Sequence, residues 1–479
     1  MMHAMKQICS KTGLRALLLC IAVSAPSRLS YAQEKEKEPV PGDSKEIIKM
    51  DTEGEDEESL LEKKGPRFKF KGQVKNLYLF HRSDNYVAQN PLITSSKNLS
   101  SDLTRVRLSP EFLYRDIVTV KVDYDNELIL SNYGKSAYFK SYWRPNQYND
   151  LLHLAWEPYR GDIAYWRTKI HRAYAKVSVD YFTATVGRQQ IRFGSGKLWN
   201  PLDILNPISP TFVEGGDEQK GTDAVRLDFF PDEKTEITLV YDMKKSNNDI
   251  RHFNMQDCNY IVRAKTSIKD TDIAILGGYV SRRGVAGFDF AAILFKGMLR
   301  GSMIVSPAGE KYAPAGDPWR LLRFLIPGKD GDESVFFEAN AGYEYTFKNG
   351  VYFLVEYFYN QKGINYNKSL KMAFMAAQFN AMNQKTYLHL ANQFPTLNQH
   401  YGGLALGYDF HPLVRGELFC IGDIQGRAIF WAPALKVNAL ENLDLTVGIL
   451  GAFSINNKAS DFVEFRKNYL FYASGSYVF

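Results

Sequence analysis

Long apolar runs are what this 479-residue sequence has least of. Beyond the first 32 residues, no stretch reaches the roughly 20 consecutive apolar residues that a transmembrane helix requires. Cysteine is scarce as well. Of four cysteines, Cys9 and Cys20 fall in the amino-terminal segment and only Cys258 and Cys420 lie in the body of the chain. There is no Cys-x-x-Cys, no haem-attachment motif and no zinc-ligand spacing. No cofactor or metal is therefore expected, and the two cysteines read as inert rather than bonded. His153, His171, His252, His389 and His400 are scattered, with no Ser-His-Asp pattern or metal spacing around them, so the chain does not read as an enzyme. Dense Lys/Arg tracts interleaved with aromatics are also missing, which removes nucleic acid from the partners.

What is present is β-favouring. Aromatic residues make up 14% of the chain, with 31 Phe and 29 Tyr against 6 Trp. Mean hydropathy is only -0.30. That combination suits a membrane barrel, in which only alternate residues meet lipid. Several stretches alternate with a period of two. Val118, Val120, Val122 and Tyr124 oppose Lys121, Asp123 and Asp125, and Leu443, Leu445, Val447 and Ile449 oppose Asp444, Thr446 and Gly448. Short turn-like breaks at 115–116, 179–180, 231–234, 269–271, 296–297, 348–350, 411–412 and 441–442 alternate with longer connections. The long ones fall at 82–102, 131–165, 188–222, 243–256, 306–332, 361–399 and 453–466, with two shorter outer links near 281–284 and 423–426. The reading is an all-β, transmembrane, antiparallel up-and-down β-barrel of about 18 strands, with short periplasmic turns and long extracellular loops.

The domain plan follows. Residues 1–32 read as a cleaved signal peptide: Lys6, Lys11 and Arg15 precede a short apolar run from Ala16 to Val23, and Ser30 and Ala32 supply small residues for cleavage. Residues 33–66 hold 12 acids against 6 bases without an apolar face, and read as a disordered periplasmic tail able to recruit a partner. Residues 67–479 form the barrel, with a formal charge of +8 from 49 bases and 41 acids. Its last stretch, Tyr469, Phe471, Ala473, Gly475, Tyr477 and Phe479 on one phase, resembles the closing strand of bacterial outer-membrane proteins. Export to the outer membrane of a Gram-negative cell, with the bilayer as partner, is the expectation.

Because the apolar phase must face lipid, the charged phase should line the lumen. The candidate pore residues are Arg105, Arg107, Glu111, Lys121, Asp123, Arg172, Lys176, Arg226, Asp228 and Arg263, with Lys265, Arg415 and Glu417 on the same phase of further strands. Rings of Arg and Lys select anions. The same charges could instead pair across strands and tile a wet wall. The run from Val186 to Pro207, Gly187-Arg188-Gln189 followed by Gly194-Ser195-Gly196-Lys197-Leu198-Trp199-Asn200-Pro201, is glycine-rich and turns at two Asn-Pro pairs, and Gly221-Thr222-Asp223 with Arg226 then re-enters the wall. It is long enough to fold inward and narrow a pore. Over Val186 to Asp228 the sequence resembles the alginate-export family and related porin-like barrels. That resemblance implies an 18-stranded barrel with an Arg-lined pore, and adds Arg188 and Arg192 to the candidates. On strand phase alone, Arg188 falls on the lipid side unless the chain bulges. The stretch 369–394 has the pattern of a short amphipathic helix in an outer loop. The function expected is a channel for small or polymeric, anionic or sugar-like solutes. The alternatives are a sheath around a periplasmic or export-machine partner and, more remotely, an outer-membrane enzyme.

Overall fold

A computed structural model describes residues 65–82, 97–135, 139, 150–205, 221–245, 253–280, 283–307, 335–361, 396, 398–454, 460, 462 and 469–479, all within the unit Glu57–Phe479. The signal, the acidic tail up to residue 64 and the amphipathic stretch 369–394 lie outside the described residues. The strands are β1 (Pro66–Arg82), β2 (Asn98–Tyr114), β3 (Val118–Ser131), β4 (Ala155–Arg160), β5 (Ala164–Val179), β6 (Phe182–Gln189), β7 (Thr222–Asp232), β8 (Thr235–Asp242), β9 (Asn259–Ile268) and β10 (Thr271–Val280). They continue with β11 (Arg283–Leu294), β12 (Gly297–Pro307), β13 (Val335–Thr346), β14 (Tyr352–Asn360), β15 (His400–His411), β16 (Val414–Asp423), β17 (Ala428–Leu440), β18 (Leu443–Ser454) and β19 (Tyr469–Val478).

Each wall strand pairs antiparallel with the next, and β19 returns to β1 from Gln73↔Val478 to Arg82↔Tyr469. Eighteen strands form the wall, a closed up-and-down barrel with no free edge to be desolvated in lipid. The six-residue β4 is additional and was hidden inside the expected 131–165 loop. It pairs with β5 from Ala155↔Lys169 to Arg160↔Tyr165, above the point where β6 stops pairing at Ala173↔Arg188.

Two of the short turns hold a pair of successive left-handed residues, neither of them glycine. Arg115 and Asp116 have φ of 52° and 57°, and Phe295 and Lys296 have 49° and 65°. Two successive left-handed residues suit the right-handed twist of the flanking strands. The second turn is thus centred one residue earlier than the sequence suggested, and Gly297 already pairs with Leu294 in the wall.

The two phases separate as the alternation requires. Val106, Phe112, Val120, Leu128, Leu239, Ile275, Val355 and Val447 lie exposed on the outer face, whereas Arg105, Asp125, Glu127, Thr238 and Glu356 are buried on the inner one. The outer phase carries a polar cluster on β1 and β2. There Asn76 donates to the Asp102 carboxylate at 3.1 and 3.3 Å and to the Thr104 hydroxyl at 3.0 Å.

The inner face is not polar throughout. Towards the long-loop end it carries apolar side chains, and segments leaving the wall cover them. Leu77, Leu79, Leu99, Leu103 and Ile129 are covered by Tyr133 and Phe139. Ala224, Val240, Ile261, Leu276, Val285 and Ile304 are covered by Ile191, Phe193, Leu202 and Ile204. Phe358, Tyr401, Ile421, Phe430 and Leu450 are covered by Trp199 and Phe462. Burying these groups against one another fixes the infolded segments by the same hydrophobic term that holds a soluble core.

Candidate pore and its constriction

The segment after β6 leaves the wall and lies inside the barrel. Its first part packs on β7–β12 through Ile191, Phe193, Leu202 and Ile204, with Ile191 and Leu202 fully buried. Its tip reaches β14 and β15, where the Trp199 ring stacks on Phe358 with centroids 5.4 Å apart and planes 8° from parallel. Between these anchors the Ser195 hydroxyl donates to the carbonyls of Phe290 (2.8 Å) and Gly301 (3.1 Å). The Asn200 amide donates to the Phe193 carbonyl at 2.6 Å. Gly194 has φ +86°, a conformation open to glycine and strained for other residues. Glu356 of β14 accepts from the backbone N–H groups of Trp199 (2.7 Å), Lys197 (3.1 Å) and Leu198 (3.3 Å).

Two cations of this segment remain about half exposed. Arg192 pairs with buried Asp203 at 3.2 Å, and Lys197 approaches Glu344 at 3.8 Å. Arg263 of β9 lies over the Phe193 ring, 5.7 Å from its centroid, and pairs with Asp289 at 3.3 Å. A cation over an aromatic face is attracted by the ring quadrupole, which ties the segment to the wall a second way.

A different arrangement covers β2, β3 and β5. Here Asp125 and Glu127 have no exposed side-chain surface and sit beneath four cations. Arg107 holds Asp125 with both Nε (2.6 Å) and Nη2 (2.9 Å). Arg105 donates to Glu127 at 2.6 Å, Lys169 approaches it at 2.9 Å, and Arg167 also pairs with it. The bases keep what exposure there is: 12% for Arg107, 14% for Arg167 and 16% for Lys169. Four bases on two acids leave a net charge of +2 on this face.

The remaining candidates are placed as follows. Glu111 stands opposite Lys121, which is 3.8 Å from Asp123. Arg172 stands opposite Asp123 and donates to the Gln190 amide oxygen at 2.6 Å, where the infolded segment begins. Lys176 is exposed near the short-turn end of β5. Arg226 pairs with Asp228 (2.8 Å) and Glu236 (3.2 Å), and Thr238 donates to Asp228.

Arg188 does not line the passage. The β5–β6 and β6–β7 registers run through it without a shift, so it stays on the phase of exposed Val186. It is buried there in a clamp. Its guanidinium donates to both Asp223 oxygens at 2.8 Å and to the Leu152 carbonyl at 2.7 Å, and the Leu152 N–H returns to Asp223. The chain at 150–152 thus covers a site that would otherwise face lipid. Beside it Lys244, beyond the end of β8, lies near Asp242 (3.3 Å) and Asp150 (3.9 Å). Burial pushes its ammonium pKa down, but these carboxylates more than offset that and hold it above the ordinary lysine range.

Arg167 and Lys169 were absent from the sequence-derived candidates, for a specific reason. Arg172, Tyr174 and Lys176 share an even phase, so Arg167 and Lys169 should face lipid. The register shifts by one between Asp123↔Arg172 and Tyr124↔Ile170. That bulge turns both phases of the upper β5 inward-for-outward. The acids were legible, since Glu127 continues the phase of Asp123 and Asp125.

The barrel closure, the apolar outer face and the charged inner face decide the architecture. The chain folds as a closed, antiparallel up-and-down β-barrel of 18 wall strands. No family model and no curated protein matches the sequence. The fold resembles that of Acinetobacter baumannii OccAB3, with 10% sequence identity, a TM-score of 0.51, and coverage of 86% of this chain and 99% of that one. Pseudomonas aeruginosa OccK5 (OpdH) superposes with 11% identity and a TM-score of 0.49 over 86% of this chain and 97% of that one. The likeness to OccAB3 is one of fold.

Proposed function

We propose that the barrel is an outer-membrane channel for small anionic or sugar-like solutes. The observation that carries this reading is the face built by β2, β3 and β5, where two fully buried carboxylates and buried Arg105 support three partly exposed cations, Arg107, Arg167 and Lys169. Buried acids fix the long basic side chains in place, and the surplus positive charge raises the local concentration of anions. Arg192, Lys197 and Arg263 add cations on the infolded segment and its wall contact. Lys121, Arg172, Lys176 and Arg226 add further basic side chains along the inner phase. The segment 188–205 takes up part of the lumen, which favours small solutes over the polymeric cargo suggested by the alginate-export resemblance. It likewise disfavours a sheath around a protein partner. In this reading residues 1–32 are the cleaved export signal, and 33–66 form a periplasmic tail that is free to recruit a partner.

The test is single-channel conductance of the refolded mature protein in planar bilayers, with ion preference taken from the reversal potential across a KCl gradient. Stepwise currents with anion preference are expected. A folded barrel that conducts with cation preference, or does not conduct at all, overturns the reading.

A further inference from the structure

We infer that Glu356 is the latch that sets the aperture and the selectivity of this channel, by holding the tip 194–199 of the infolded segment against β14 and β15. The inference rests on the channel reading above. The segment is secured in two different ways. Its root is held by apolar packing of Ile191, Phe193, Leu202 and Ile204, spread over β7–β12. Its tip is held by the Glu356 carboxylate, by the Ser195 hydroxyl and by Trp199, which stacks on Phe358 and packs with Leu198 against Tyr401 and Ile421. The two Glu356 oxygens accept three successive backbone N–H groups, Oε1 from Trp199 and Oε2 from Lys197 and Leu198.

The chemistry of the site argues that the carboxylate serves the tip rather than the wall. Glu356 is only 2% exposed, and among the described residues no Lys, Arg or His lies within ion-pair distance of it. A buried charge without a counterion is costly, and here the amides of the tip compensate it. The wall does not need the side chain, because β14 pairs through its backbone, with Glu356 opposite Gly342 on one side and Gly403 on the other. Both glycines clear the seat. A Cβ at Gly342 would press on the Glu356 side chain, and one at Gly403 would run into Leu198 and Trp199. Two adjacent strands have thus given up their side chains around one acid that grips one loop tip. The tip also carries half-exposed Lys197, so its position decides both the width of the passage and where that cation stands.

The experiment uses the full mature protein with Glu356→Ala, Glu356→Gln and Gly403→Ala, each checked for a folded barrel by its heat-modifiable gel mobility. Unit conductance and reversal potential are recorded, and trypsin cleavage after Lys197 is followed on the folded barrel. Glu356→Ala should raise the unit conductance, lower the anion preference and open Lys197 to trypsin. Glu356→Gln should be intermediate, because one of its two terminal atoms becomes a donor facing an N–H. Gly403→Ala keeps the carboxylate but fills the seat, and should shift all three readouts in the same direction as Glu356→Ala. Folded variants with wild-type conductance and a protected Lys197 overturn the latch. Electrical silence of the wild type overturns the channel reading instead, and the trypsin readout still decides whether Glu356 holds the tip.

Discussion

Neutralising Arg107 should change ion preference by an amount that depends on salt in a calculable way. Arg107→Gln removes one unit charge from the basic face but leaves Asp125 near Lys169 (3.6 Å) and Arg105 (3.8 Å), so the acid is not orphaned. An ion passing about 6 Å from a unit charge in water interacts with it by about 0.7 kcal/mol. At 0.1 M salt the Debye length of about 10 Å leaves about 0.4 kcal/mol of this. That is roughly a twofold change in local anion concentration and the inverse for a cation, so the anion-over-cation ratio should fall roughly fourfold. At 1 M salt, where the Debye length is about 3 Å, the same substitution should alter the ratio by only about 1.4-fold. Reversal potentials at the two salt concentrations measure both ratios. An open channel whose ratio is unchanged at 0.1 M would refute the placement of this face in the conduction path.

Three further outcomes are expected. Glu127→Gln leaves Arg105, Arg167 and Lys169 with only Asp125 to oppose them, and should destabilise the barrel by about 3–5 kcal/mol, read as a lower urea midpoint in lipid vesicles. Leu202→Ala removes a fully buried anchor of the infolded segment, and should weaken its packing by about 2–5 kcal/mol, read as faster hydrogen exchange at the amides of Asp203 and Ile204 while the wall strands stay protected. Asp223→Asn should free the chain at 150–152, exposing the Leu152 amide to exchange. Because the pKa of Lys244 in the same network is raised on folding, its contribution is fully present below the ordinary lysine value of about 10.4, and protection of this rim in the wild type should fade only as pH rises beyond it.

Most of the wall was legible from the sequence because the bilayer imposes a period of two and a closed sheet. Val118, Val120 and Val122 against Lys121, Asp123 and Asp125 can be satisfied in only one orientation when one side is lipid. The length contrast between connections then fixed the strand count near eighteen. Two features escaped for local reasons. A bulge at His171 costs one residue and leaves no compositional mark, yet it reverses the phase of Arg167 and Lys169. The strand β4 has only six residues and pairs with a length of β5 that β6 leaves free, so its existence depends on where another strand stops. Arg188 shows the converse. Its phase was read as facing lipid, and that reading stands; the chain at 150–152 covers it and so resolves the conflict.

The infolded segment illustrates a signal that alternation alone does not exploit. Where a barrel strand is apolar on both phases, one face meets lipid and the other must be covered from within, because exposed apolar surface in a water-filled lumen is unfavourable. Leu77-Tyr78-Leu79-Phe80 of β1 is such a stretch, and Tyr133 and Phe139 lie over its inner leucines. Met303-Ile304-Val305 of β12 is another, with Ile304 packed in the cluster of Ile191 and Leu202. Ile429-Phe430-Trp431 of β17 is a third, and there Phe462 stacks on Phe430 with centroids 5.5 Å apart. Towards the short-turn end the same strands return to strict alternation, with Lys69 and Lys71 on β1 and Arg300 on β12 facing inward. The change from doubly apolar to alternating marks the height at which infolded segments cover the inner wall. It also explains why the cations of the wall follow below: water reaches the inner face of the wall only where no loop covers it, and only there do the wall's own charged side chains remain solvated.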